Sequence, residues 1–199
     1  MKRYKINEIF YSLQGEGMNA GTPAIFIRFA GCNLRCPFCD TDFDKSNDYN
    51  AAGIALMAAS LAKSPLLIVL TGGEPTLQVD NELLQALHLT FPDSQIAIET
   101  NGSRPIINGI DFVTCSPKGE FTSDYKIISE ADEVKVVYDG KNNPATWEER
   151  IKANRYYLQP CDMGDNERNA EIVKMSVEYC KAHPKWRLSL QQHKILNLR

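Results

Sequence analysis

Cys32, Cys36 and Cys39 fall within one short loop, spaced C-x3-C-x2-C in Gly31-Cys32-Asn33-Leu34-Arg35-Cys36-Pro37-Phe38-Cys39-Asp40-Thr41. Three thiolates on one loop can hold three corners of a cubane iron–sulfur cluster. The fourth iron is then open to a small molecule, which makes the cluster a catalyst rather than an electron wire. Structural zinc is the competing use. It takes four N/S ligands, usually as two close pairs, whereas this loop supplies three. The other cysteines, Cys115, Cys161 and Cys180, are single and far apart. A fourth zinc ligand would have to come from Cys161, Cys180 or His183. Electron-transfer clusters take four cysteines, and a fourth is not evident near the loop. Disulfides fit poorly with a chain that shows no secretory signal. Asn33 and Arg35 can donate to inorganic sulfur. Phe38 can shield a cluster from water or simply anchor the loop.

Composition narrows the partners. The 199 residues carry a formal net charge of −3. That argues against a broad polynucleotide-binding surface but allows a small anionic ligand held by a few arginines. The first ten residues are mixed and charged, without the apolar core of a signal peptide. The longest apolar-biased stretch, Ala51 to Ala62, contains Gly53 and Ser60 and is too short to span a bilayer. The expectation is a cytoplasmic protein with neither nucleic-acid nor membrane partner, folded as one domain over residues 1–199.

The loop must be held by a scaffold, and the apolar runs describe one. Ala24 to Phe29, Leu66 to Leu70, Gln95 to Ile98, Asp111 to Thr114, Val134 to Tyr138, Tyr156 to Leu158 and Arg187 to Leu190 are nearly continuous rather than alternating. Strands buried on both faces of a parallel sheet read this way. Residues 4–11 can add a further strand. Helical patterns are fewer: Ala51 to Lys63, Asp80 to Leu89 and Asn166 to Lys181. Parallel strands need long, usually helical crossovers. The segment between Glu99 and Asp111, broken by Asn101-Gly102 and Pro105, is too short for one. A complete eight-fold barrel takes roughly 250 residues. The reading is therefore α/β: an abbreviated, partial (β/α) barrel with about six core parallel strands and about three full helices. Cys32, Thr71, Glu99, Ser116 and Gln159 each end or follow a strand, which gathers them on the rim where such folds place their sites.

The cysteine loop, with an aromatic residue before its last cysteine, resembles the radical S-adenosylmethionine (SAM) superfamily. So does Thr71-Gly72-Gly73-Glu74-Pro75 after the Leu66 strand. Further segments resemble the 7-carboxy-7-deazaguanine synthase family within it: Ser12-Leu13-Gln14-Gly15-Glu16-Gly17, Cys39-Asp40-Thr41, Glu99-Thr100-Asn101-Gly102, Ser116-Pro117-Lys118, Gln159-Pro160-Cys161-Asp162 and Leu190-Gln191-Gln192-His193-Lys194. They run in order over nearly the whole chain. The tail beyond His193 is longer than the motif needs, and the Cys161 thiol is given no role of its own.

The resemblance implies a [4Fe–4S] cluster on Cys32, Cys36 and Cys39 that binds SAM. It implies a catalytic radical that takes hydrogen from C6 of 6-carboxy-5,6,7,8-tetrahydropterin. Ring contraction with loss of ammonia then gives 7-carboxy-7-deazaguanine, on the route to queuosine, with SAM regenerated. Gly73, Glu99, Asn101, Ser116, Pro117, Lys118, Gln159, Pro160, Cys161 and Asp162 are the implied SAM contacts. Leu13, Gln14, Gly15, Glu16, Arg28, Thr71 and His193 are the implied substrate contacts, and Thr41 is the implied magnesium ligand. A carboxylate against the guanidine-like edge of a pterin is good bidentate chemistry, which suits Glu16. The substrate carboxylate wants a cation. Arg28, in mid-strand, is one candidate, its alternative being a structural ion pair with Asp or Glu. His193 is a second, its alternative being a surface histidine. Glu99 has the alternative of a turn carboxylate bonding the Asn101-Gly102 backbone. A homodimer and a low-potential donor such as a flavodoxin or ferredoxin are also implied.

Two other functions share part of the pattern. A glycyl-radical-enzyme activase would use the same cysteine loop on a protein partner, and a zinc-stapled binding module would use it without catalysis.

Overall fold

The computed structural model describes residues 2–39, 45–118 and 127–198. Among these residues nine strands form one sheet: β1 (Tyr4–Leu13), β2 (Pro23–Phe29), β3 (Asn47–Tyr49), β4 (Leu67–Gly72), β5 (Gln95–Thr100), β6 (Phe112–Cys115), β7 (Glu130–Tyr138), β8 (Lys152–Pro160) and β9 (Trp186–Leu188). Their order is β3-β1-β2-β4-β5-β6-β7-β8-β9. From β2 through β9 every neighbour in this order is parallel. The segment near the N-terminus does add a strand, but β1 lies antiparallel to β2 and to β3. The parallel set has seven members, of which β9 is only three residues long.

Three long helices cover the sheet: α1 (Ala51–Leu61), α2 (Asn81–Thr90) and α4 (Asn166–Ala182). Two short ones, α3 (Ala145–Arg150) and α5 (Gln192–Ile195), complete the set among the described residues. Each long helix starts on a side-chain cap: Asn50, Asp80 and Asp165 accept backbone N–H groups of Gly53, Leu83 and Arg168. Between β5 and β6 there is no helix, as the short Pro-broken connection dictates.

Alternate residues of a strand face opposite sides, and the parity sorts the core. Ile25, Ile27, Phe29, Ile68, Leu70, Ile96 and Ile98 pack with Ile54, Ala58, Leu83 and Leu87 of α1 and α2. Val134, Val136, Leu158 and Trp186 pack with Trp147 and Ile172 of α3 and α4. The opposite parity, Phe10, Phe26, Leu67, Val69, Ala97 and Phe112, forms a separate apolar cluster on the other face. Past that cluster the same rows turn polar: Arg28, Thr71, Glu99, Thr114, Glu133 and Lys135. Apolar residues fill one end of this face and charged residues line the other, so the sheet has a built site rather than a second core.

The two ends of the strand order meet through loops. The Gly17 N–H, in the β1–β2 connection, donates to Ser189 Oγ just past β9 (3.0 Å), and Ser189 Oγ donates to Gln159 Oε1 (3.1 Å). Gln192 N–H donates to the Gly15 carbonyl at 3.0 Å. The barrel is partial, and these contacts close it without a ladder. Among the described residues no helix is long and apolar enough to cross a membrane.

Candidate active site

One cavity of about 580 Å³ opens on the polar end of the sheet. Cys32, Cys36 and Cys39 line it, as does every expected SAM and substrate contact except Pro117. Pro117 is buried and does not line the cavity, while its neighbours Ser116 and Lys118 do. Thr41 and Asp40 lie outside the described residues.

The cysteine side is built by close approach of two backbones. Gly73 N–H donates to the Phe29 carbonyl and Glu74 N–H to the Gly31 carbonyl, both at 2.9 Å. A Cβ on Gly73 would lie on the Gly31 carbonyl, and Gly72 sits at φ +112° with no room for a side chain. The two glycines are therefore needed for packing as well as for access to a ligand. Glu74 is fully buried. It accepts from Thr76 N (3.1 Å), Thr76 Oγ1 (2.6 Å), Thr100 Oγ1 (2.7 Å) and Asn101 N (2.7 Å), which locks the loop after β4 to the loop after β5.

Asn33 departs from the expected role. Its amide donates to Ser103 Oγ (2.9 Å) and accepts from Asn101 Nδ2 (3.0 Å), so it holds the loop from outside. Arg35 is exposed. Phe38 lies under the Lys118 ammonium, 5.6 Å from ring centre to nitrogen. Lys118 also donates to Ser116 Oγ at 2.7 Å. Burial, with Lys135 nearby, pushes its pKa below the usual lysine value.

The fit of this rim to an iron–sulfur cluster rests on its donors. All three cysteines are free thiols, two half-buried and Cys39 exposed. Burial raises the Cys32 and Cys36 thiols above their ordinary pKa, so metal binding there must displace protons. Among the described residues, no three His, Cys, Asp or Glu side chains converge closely enough for a single ion. The thiols instead border one side of a cavity large enough for a cluster plus ligand, and a cubane offers its corners farther apart than one ion's shell.

The other side is charged and mostly buried. Glu99 does not bond the Asn101-Gly102 turn. Glu74 fills that place for Asn101, and Thr100 Oγ1 accepts from Gly102 N at 3.0 Å. Glu99 faces the cavity instead and accepts from Gln14 Nε2 and Thr71 Oγ1, both at 3.0 Å. Glu16 pairs with the Lys135 ammonium and accepts from Gln191 Nε2 at 3.1 Å. Burial opposes ionisation of Glu16, but Lys135 outweighs it and holds the carboxyl at about 2. Arg28 pairs with Glu8 on β1 and lies over the Phe10 ring at 5.2 Å, yet it still lines the cavity. Gly15 packs directly against His193, and a Cβ there would collide with the imidazole. Asp162 is already committed: it accepts from Lys194 Nζ (3.0 Å), Asn169 Nδ2 (2.8 Å) and Gly164 N (3.0 Å), which hold its carboxyl at about 2.

Lys135 and Gln191 line this cavity, with Glu133 and Ser189 bracing the chain around it, and sequence reasoning missed all four. The missed signal was a charge inside an apolar run. It pointed to Arg28 in Ile27-Arg28-Phe29 and was equally present in Val134-Lys135-Val136.

The parallel sheet with three cysteines at its rim is the arrangement of a radical SAM protein, and the Radical SAM superfamily model matches residues 26–159. The chain is 45% identical to the 7-carboxy-7-deazaguanine synthase of Bacteroides thetaiotaomicron, over 98% of each chain. It is 40% identical to that of Burkholderia multivorans, over 98% of this chain and 99% of the other. The crystal structure of QueE from Escherichia coli superposes with a TM-score of 0.78 at 27% identity, covering 96% of this chain and 95% of that one. The chain belongs to the 7-carboxy-7-deazaguanine synthase family. Radical SAM membership implies a [4Fe–4S] cluster and SAM.

Proposed function

We propose that this protein converts 6-carboxy-5,6,7,8-tetrahydropterin into 7-carboxy-7-deazaguanine, with loss of ammonia. The observation that carries the proposal is one cavity with two chemically distinct halves. Three thiols and a glycine-bared backbone stand on one side, and a hydrogen-bonded set of carboxylates, amides and cations stands on the other. When bound, the cluster and SAM supply one-electron chemistry that can take a hydrogen atom from carbon.

The chain's own residues hold and orient. Gly73 leaves backbone exposed for the methionine end of SAM. Asn101, Ser116, Lys118 and the Gln159-Pro160-Cys161 segment surround its remaining polar groups. Asp162, fixed by Lys194, Asn169 and Gly164, stands at this end with an acceptor site still open. Leu13 and Gln14 meet the pterin ring, and Glu16 and Glu99 accept its N–H groups. Thr71 fixes Glu99. Arg28 receives the substrate carboxylate, and His193, packed against Gly15 at the Glu16 end, is a further donor to the substrate. Glu8 does not disqualify Arg28, since a guanidinium has five N–H donors and one carboxylate cannot use them all. Magnesium held by Thr41, a single domain, a cytoplasmic homodimer and a flavodoxin- or ferredoxin-type donor belong to the same proposal.

The test is anaerobic incubation of reconstituted protein with SAM, reductant, magnesium and the pterin, followed by mass analysis. Ring-contracted product supports the reading. SAM cleavage that ignores the pterin and rises with a protein partner would instead support an activase. Reconstitution that yields zinc and no broad brown absorption would support a binding module.

A further inference from the structure

Lys135 is 4% exposed, in the middle of β7, and its ammonium points into the cavity. It is paired with Glu16 and lies 3.7 Å from Glu99 Oε1. Glu133, two residues earlier on the same strand face, is also buried; it accepts from Met18 N at 2.8 Å and Thr114 Oγ1 at 3.0 Å. Three carboxylates, from the β1–β2 loop, β5 and β7, thus surround one ammonium. Among the described residues, the other titratable groups acting on this set are Lys118, after β6, and His193, on α5.

A buried carboxylate without a counter-charge takes up a proton and becomes a donor. Lys135 holds Glu16 ionised as an acceptor and ties Glu99 next to it. Two adjacent carboxylates select a ligand edge rich in N–H donors and repel one bearing its own carboxylate. Arg28 sits on β2 and Lys135 on β7, with β4, β5 and β6 between them in the sheet order. The cavity therefore has a polarity that a flat pterin with one donor edge and one carboxylate can satisfy in one orientation.

We propose that Lys135 is the positioning residue that sets this orientation: it holds Glu16 and Glu99 together for the 2-amino pyrimidinone edge, which turns the substrate carboxylate toward Arg28. The inference rests on the pterin reading above. It assigns Lys135 no contact with the reacting carbon and no part in SAM binding.

The test uses cluster-loaded enzyme with Lys135→Met, which keeps length and removes charge, and Lys135→Arg, which keeps charge. K135M raises KM for the pterin by about a hundredfold or more, lowers kcat less than KM rises, and leaves SAM affinity unchanged. K135R recovers most of the pterin affinity. In K135M the acid side of the profile also changes. Burial then pushes the Glu16 carboxyl up, so KM at about pH 6 exceeds KM at about pH 8 by several-fold, a dependence absent from wild type. A packing role alone would not move that profile.

If K135M fails to fold, Lys135→Gln, which keeps a donor toward Glu16 but no charge, is read by direct binding of the pterin and of SAM. Loss of pterin binding with SAM binding intact supports the inference. A KM within about threefold of wild type, equal loss of both ligands, or an unchanged pH profile overturns it. If wild type itself does not turn over the pterin, the functional reading fails and this inference falls with it. If wild type does and K135M matches it, only this inference fails.

Discussion

The Glu74 carboxylate accepts the backbone N–H of Asn101 at 2.7 Å across 27 residues of sequence. This bond, with the one from Thr100 Oγ1, joins the loop after β4 to the loop after β5 behind the cysteine rim. Glu74 is part of the Gly72-Gly73-Glu74-Pro75 segment, yet it never reaches the cavity. The glycines face the ligand, and the carboxylate holds them there.

Glu74→Gln replaces an acceptor of four hydrogen bonds with an amide whose NH2 must face donors. The expected cost is about 2 to 4 kcal/mol of stability, seen as a lowered denaturation midpoint of the cofactor-free protein. SAM affinity should fall in the same variant, because the Gly73 backbone loses its support.

Gly73→Ala places a methyl group on the Gly31 carbonyl. The loop must shift, at about 1 to 3 kcal/mol. Equilibrium binding should show SAM affinity reduced by at least about tenfold. Retained wild-type affinity would mean that this backbone does not approach the ligand.

Arg28→Gln should raise KM for the pterin by about ten- to a hundredfold and leave SAM binding unchanged. The Arg28–Glu8 ion pair is lost as well, which adds a small stability loss of about 1 kcal/mol. Steady-state kinetics on the pterin, compared with SAM titration, separates the two effects.

Stability should decline in acid with a contribution from Glu16. Its folded-state pKa, about 2, lies below the unfolded value of about 4.3. Its stabilisation is therefore complete above about pH 4.3 and is lost as pH falls toward 2. Glu133 acts with opposite sign: burial raises its carboxyl, so its contribution declines as pH rises from the ordinary carboxylate value through its raised one. Denaturant midpoints across this range should show the acid fall reduced in Glu16→Gln.

Much of this was legible in the string because strand ends and motif starts coincide. Cys32, Thr71, Ser116 and Gln159 could be placed on one rim from the runs that precede them. The continuity of those runs hid which residues face which way. Ile27-Arg28-Phe29 and Val134-Lys135-Val136-Val137 give no alternation from which to separate the helix-covered face from the cavity. Only the register shows Glu99, Glu133 and Lys135 on one side. Asn33 was assigned to the cluster because it lies between two ligands in sequence. Its partners, Asn101 and Ser103, come from a loop that is close only once β4 and β5 have paired. Short α3 has six residues, too few for a helical period to stand out.

The central claim is tested most directly by counting product against SAM in one anaerobic reaction with reductant, magnesium and 6-carboxy-5,6,7,8-tetrahydropterin. The account predicts 7-carboxy-7-deazaguanine and ammonia in equal amounts, both well in excess of the SAM consumed. SAM consumed without either product, by protein whose cluster is intact, would contradict it.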